Sequence, residues 1–244
     1  MRALSAQDVL RIWERGQAQR RPDRAITLLA AALPEMPPEV LADLPLGRRD
    51  GLLLRIREQL FGPALAAYVE CPQCRARLEF TLGGAWLHGA DQPPPSPEGL
   101  CLWAEGCDLR FRLPTSRDLS AVIACADVQE GRALLRRRCV LEASRDGVPV
   151  PVESLPESAT AELAGRMEAC DPQAEMLLDL ACPACGRGWQ ASLDIAGFVW
   201  VELAALARRL LGEVHALARA YGWPEADILA MSAVRRQRYL EMAG

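Results

Sequence analysis

The spacing of apolar residues divides this chain into helical and extended stretches. In residues 1–64 they recur at three and four. Val9, Leu10, Ile12 and Trp13 follow Ser5, a cap residue with Asp8 three positions on. Ile26, Leu28, Leu29 and Leu33 follow Pro22-Asp23, and a short helix is expected after Pro37-Pro38. Leu52, Leu53, Leu54, Ile56 and Leu60 form a last helix that Gly62-Pro63 stops. The period then changes to two. Residues 65–70 and 78–82 predict one pair of strands, and residues 176–181 and 189–193 predict another.

Between these pairs lies a mixed segment. A hairpin is expected over 100–104 and 108–113, with Glu105-Gly106 at its turn and Leu109, Phe111 and Leu113 alternating against Arg110 and Arg112. Helices are expected from Pro114-Thr115 through Ile123, from Glu130 to about Val140, and from a Ser158 cap through Met167. Asp146-Gly147 marks a turn between two short extended runs. The clearest linker is the Pro-rich stretch at 92–97. The last segment carries a stripe of Trp200, Leu203, Ala207, Leu210, Val214, Leu217 and Tyr221, suited to packing on another helix. Gly222 ends it, Pro224 restarts a short helix, and Ser232 can cap a final one.

The predicted class is therefore α+β. A helical N-terminal region at 1–64 and a helical C-terminal region at 199–244 flank a middle part, 65–198. There, hairpins at 65–88 and 174–198 bracket an inserted α/β segment at 99–173.

The 244 residues supply ample core, and 50% apolar with 25% charged residues is ordinary for a soluble globular chain. All 28 basic residues are Arg, yet the net charge is −4, so no global basic field draws the chain to nucleic acid. No stretch has the length and apolarity of a membrane span or a signal peptide; a cytoplasmic protein is expected. In a reducing compartment its nine Cys point to metal binding before disulfides.

The tips of the two hairpins carry the chemistry. Cys71-Pro72-Gln73-Cys74 and Cys182-Pro183-Ala184-Cys185 are separated by 107 residues. A two-residue gap lets one tight turn present two sulfurs to one ion, and zinc accepts four thiolates in a tetrahedron. Four residues past the second Cys of each knuckle, LEFTLGGA at 78–85 lines up with WQASLDIA at 189–196. One structural zinc per chain, held by Cys71, Cys74, Cys182 and Cys185 in a split zinc ribbon, is the expectation. Such a closed site leaves no open coordination position and contributes on the order of 10 kcal/mol to folding. Gly186 suits the turn back from the second knuckle, whereas the first has Arg75 there.

Other candidates carry less. Cys101 and Cys107 flank the middle turn, as substitute ligands or as packed neighbours, and Cys125, Cys139 and Cys170 fall among apolar residues. His88 and His215 stand alone, and no phosphate-binding, zinc-protease or nucleophile motif occurs; no enzymatic activity and no small-molecule substrate are expected. Arg136-Arg137-Arg138 and Arg235, Arg236 and Arg238 are either phosphate contacts, as in a zinc-ribbon nucleic-acid-binding regulator, or solvated helix faces.

Several stretches share one resemblance: LPLGRRDGLLLRIREQLFG before the first knuckle, LEFTL after it, FRLPTSRDL, the second knuckle, and YGWPEADILAMSAVRRQRYLEM. Over residues 44–240 the chain resembles the baseplate hub assembly chaperones of contractile-tailed phages and their relatives in phage-like contractile injection systems. The resemblance implies a non-enzymatic assembly chaperone or adaptor whose partners are baseplate, hub or tail proteins.

Overall fold

Ser5 and Asp8 close the start of the first helix on each other. The Asp8 N–H donates to Ser5 Oγ at 3.1 Å, and the Ser5 N–H donates to the Asp8 carboxylate at 3.0 Å. The computed structural model describes residues 1–83 and 99–243. It is α+β, with ten helices and small antiparallel sheets among the described residues. The expected 92–97 linker and His88 lie outside them.

The chain forms two units: residues 1–38 with 195–244, and residues 39–194. The first joins α1 (Ala6–Gly16) and α2 (Arg21–Ala32) to α8 (Ile195–Tyr221), α9 (Glu225–Ala230) and α10 (Ala233–Ala243). Its stripes meet over most of their length: Val9, Leu10, Leu28 and Leu29 are buried, as are Leu203, Ala207, Leu210 and Leu217, while Trp200 and Val214 are half-buried and Tyr221 is exposed. Gly16 lets α1 approach α8 closely, because a Cβ there would sit 2.1 Å from the Trp200 ring. Arg24 lies over the same ring at 4.8 Å and donates to the Gly16 carbonyl at 2.9 Å.

The helices expected together in 1–64 are thus divided. Those in the second half, α3 (Pro38–Ala42) and α4 (Leu46–Phe61), lie with the middle unit. That unit also contains β1 (Leu65–Glu70), β2 (Arg77–Leu82), β3 (Leu100–Ala104), β4 (Cys107–Phe111), α5 (Ser116–Val122), α6 (Val128–Cys139), β5 (Val140–Arg145), β6 (Val148–Pro149), α7 (Glu157–Cys170), β7 (Leu177–Ala181) and β8 (Gly188–Ser192). Strands β3 to β6 form one antiparallel sheet in chain order. Its two tight turns, Glu105-Gly106 and Asp146-Gly147, have φ of 50° and 75°, and 50° and 76°, the left-handed pair that a two-residue hairpin loop requires. One face packs Cys107, Leu109, Phe111, Val140 and Ala143 against Leu163 of α7. Two helix starts differ from expectation: α6 begins earlier, capped by Asp127 accepting from the Glu130 N–H at 2.8 Å, and α7 begins after Pro156, leaving Ser158 inside its first turn.

Asp118 anchors α5. Its carboxylate is fully buried and accepts from Arg112 at 2.6 and 2.9 Å, Arg138 Nε at 2.6 Å, the Thr115 N–H at 2.9 Å and Thr115 Oγ1 at 3.0 Å.

Helix α4 bridges the long gap between the knuckles. At its C-terminal end Arg57 donates to the carbonyls of Gly62 and Ala64 at 2.6 and 2.8 Å, fixing the entry into β1. At its N-terminal end the Gly47 N–H donates to Asp171 Oδ2 at 2.9 Å, just before the chain enters β7. Only glycine fits at 47, since a Cβ would meet Asp171 Oδ1 at 2.0 Å. One helix therefore holds the approaches to both hairpins.

Candidate metal centre

The two hairpins are built alike. Around the first knuckle the Cys71 N–H donates to the Ala76 carbonyl at 2.9 Å and the Arg75 N–H to the Cys71 carbonyl at 3.0 Å. Around the second, the Cys182 N–H donates to Arg187 at 2.9 Å and the Gly186 N–H to Cys182 at 2.9 Å. The strands keep the same register: Glu70 pairs with Arg77 below one knuckle, and Ala181 pairs with Gly188 below the other. Both pairs are antiparallel, with buried or half-buried residues alternating with exposed ones.

These turns bring all four sulfurs together. The Sγ atoms of Cys71, Cys74, Cys182 and Cys185 lie within 4.8 Å of one another, and among the described residues they are the cluster with metal-ligand geometry. Cys71 faces Cys185 at 3.7 Å and Cys74 faces Cys182 at 3.6 Å. A tetrahedron with metal–sulfur bonds of about 2.3 Å has edges of about 3.8 Å, so the spacing suits one ion at the centre. All nine cysteines are free thiols. Within the cluster Cys71 and Cys182 are buried, while Cys74 and Cys185 reach the surface.

The electrostatics also call for a cation. The Cys74 N–H, and after it the Gln73 N–H, face the Cys71 sulfur and outweigh its burial, bringing this thiol down to about 6. For Cys185 the Arg187 N–H works the same way, but burial and the sulfurs of Cys74, Cys182 and Cys71 outweigh it and push the thiol up to about 12. Four sulfurs this close cannot all ionise unaided. A bound cation would supply the missing charge and release protons as it binds.

Arg75 stands at the position of Gly186 and adopts the same left-handed backbone, with φ of 63° against 72°. Its expected misfit is absorbed as local strain rather than as a different turn. Arg75→Gly is accordingly expected to stabilise the chain by about 1 kcal/mol, read from the thermal midpoint, with metal stoichiometry unchanged.

The remaining candidates fall elsewhere. Cys101 and Cys107 do not face each other: Cys101 pairs with Arg110 on the exposed face of β3, while Cys107 is buried in the sheet core. Burial, with the Asp118 charge behind it, pushes the Cys139 thiol up to about 12, so it is inert. His215 is exposed on α8. The tail arginines are largely engaged. Arg236 is 4% exposed, donating to Glu213 at 2.8 Å and to the Met231 carbonyl at 2.6 Å, and Arg238 pairs with Glu241 at 3.0 Å. That leaves Arg236 unable to contact phosphate. In the other cluster Arg138 binds Asp118, and Arg137 lies 3.8 Å from Glu153.

The spacing CPxC signalled the site, but nothing in the sequence signalled Asp171 or Arg57, whose partners are backbone atoms. Among the described residues no helix is long and apolar enough to cross a membrane. Compared with family models, with curated proteins and with solved structures, the chain finds no match.

Proposed function

We propose that the four cysteines hold one structural zinc and that the chain is a non-enzymatic assembly chaperone or adaptor, with baseplate, hub or tail proteins of a contractile particle as partners. The closed centre carries this reading. Four protein sulfurs fill a tetrahedron and leave no position for a substrate or an activated water, so the ion holds structure rather than performing chemistry. A thiolate-only donor set favours zinc over harder cations such as magnesium or calcium. The choice of partner rests on the resemblance over residues 44–240, and the burial of Arg236 against Glu213 weighs against nucleic acid as the ligand.

The test is capture of partners from the native host on the tagged chain, identified by mass spectrometry. Sheath, tube or baseplate proteins are expected at more than tenfold enrichment over an unrelated bait. Captured proteins with no structural tail component among them would overturn the assignment.

A further inference from the structure

Helix α6 rests on α5, β5 and the 3-10 turn at Val152–Ser154, while α7 rests on β3. Between α6 and α7 opens a groove of about 530 Å³. Its floor is apolar, formed by Cys139, Leu163 and Met167; Leu163 and Met167 belong to the sheet core. Leu135 stands on one wall, and Ala161 and Ala164 keep the other low.

The polar side of this groove is lopsided. Arg132 and Arg136 line it from α6, four residues and so one turn apart, about 6 Å along the axis. Of the run Arg136-Arg137-Arg138, the last two have carboxylates nearby within the unit: Glu153 beside Arg137 and Asp118 on Arg138. Arg136 differs, for its Nε is buried and meets no acceptor among the described residues. A buried guanidinium N–H without an acceptor is uncommon in a finished structure, and a carboxylate is its best partner. Among the described residues the one acid lining the groove, Glu157, sits in the first turn of α7 on the opposite wall, where it disfavours a guest acid and so sets which way a guest lies.

We propose that this groove seats an amphipathic helix of a partner protein. Its apolar face lies on Leu135, Leu163 and Met167, and two acidic side chains one turn apart meet Arg132 and Arg136. The exposed alanines admit a helix backbone, the arginine pair matches helical spacing, and the half-buried Arg136 guanidinium supplies the polar lock. The inference rests on the adaptor reading for its purpose, but the two fail separately. Groove-binding peptides without captured tail proteins would sink the tail assignment; tail proteins captured equally by a groove-filled chain would sink the groove.

The probe is a displayed library of random 16-residue peptides, panned on the full chain and counter-panned on Ala164→Trp. Ala164 is exposed, so the indole should fill the groove without disturbing the core; circular dichroism and zinc content check its fold. Enriched peptides are expected to carry apolar residues at three- and four-residue spacing beside acids one turn apart. A synthetic copy, followed by fluorescence anisotropy, should bind Arg136→Gln at least about tenfold more weakly, and should also weaken in high salt. The proposal falls if no peptide is enriched, if enriched peptides bind Ala164→Trp equally well, if they lack acids, or if Arg136→Gln binds normally. Binding of an apolar fatty acid such as decanoate in place of any peptide would also overturn it, assigning the groove to a small carboxylate.

Discussion

A Cys182→Ser chain is expected to fall from one bound zinc to almost none. Its two hairpins should lose their order while the β3–β6 sheet keeps its own. Cys182 is buried, its sulfur is 3.6 Å from Cys74, and three sulfurs with a hydroxyl cannot reproduce a thiolate tetrahedron. Structural zinc in small cysteine-based domains is worth about 10–16 kcal/mol, and an apo site returns part of that as unfolding. Each hairpin has two strands, and an isolated two-stranded hairpin is marginal in water. Hydrogen exchange should show amides of β1, β2, β7 and β8 opening by several orders of magnitude, while β4 amides around fully buried Phe111 stay protected. Metal analysis of the wild-type chain is the companion measurement. Reduced protein carrying no zinc, or a Cys182→Ser chain with protected hairpins, would refute the centre.

Asp118→Ala should cost about 3 kcal/mol, the low end of what breaking a buried ion pair costs. The low end applies because Arg112 and Arg138 are 33% and 37% exposed and can turn to water when Asp118, itself 0% exposed, is removed. In a unit of this size that is roughly a 6–12 °C drop in thermal midpoint. The same residue shapes the acid response. Burial alone would raise its pKa, but hydrogen bonds from Arg112, Arg138 and Thr115 prevail and hold it well below the usual carboxylate range. A carboxyl depressed on folding contributes stability above its unfolded value, about 3.9, and loses it as pH falls toward the folded value. Asp50 and Asp171 act in the opposite sense. Burial raises both, against Arg49 for Asp50 and against the Gly47 N–H for Asp171, so each costs stability as pH rises past the unfolded value. Asp118→Asn should therefore flatten the acid limb of a stability–pH curve below about pH 4, whereas Asp171→Asn should not.

The hairpins and their cysteines were legible because strand alternation and the CPxC spacing are local signals. LEFTL and WQASL even carry the shared register, since each stands four residues past its knuckle. The Ser5 cap and the Glu105-Gly106 turn are local signals of the same kind. What escaped was partnership. A helical stripe such as Leu52, Leu53 and Ile56 tells which face is apolar but not what covers it, so the break between α2 and α3 left no mark in the periodicity. Arg75 misled in another way. Residue type argued against a left-handed turn, yet the flanking strand pairs and the knuckle hydrogen bonds impose it. Asp171 and Asp127 escaped because their partners are backbone N–H groups, which every residue carries.

Because one unit draws its helices from both flanks of the other, the order of synthesis matters. The ribosome delivers α1 and α2 long before α8; at about 5–20 residues per second the delay is roughly ten to thirty seconds. Throughout that interval Val9, Leu10, Leu28 and Leu29 await the helix that covers them, and by its end every residue from 39 to 194, both sulfur pairs included, has been translated. A nascent chain stalled at residue 194 carries a complete cysteine set beside two helices with sticky, uncovered sides, the state most in need of cellular quality control.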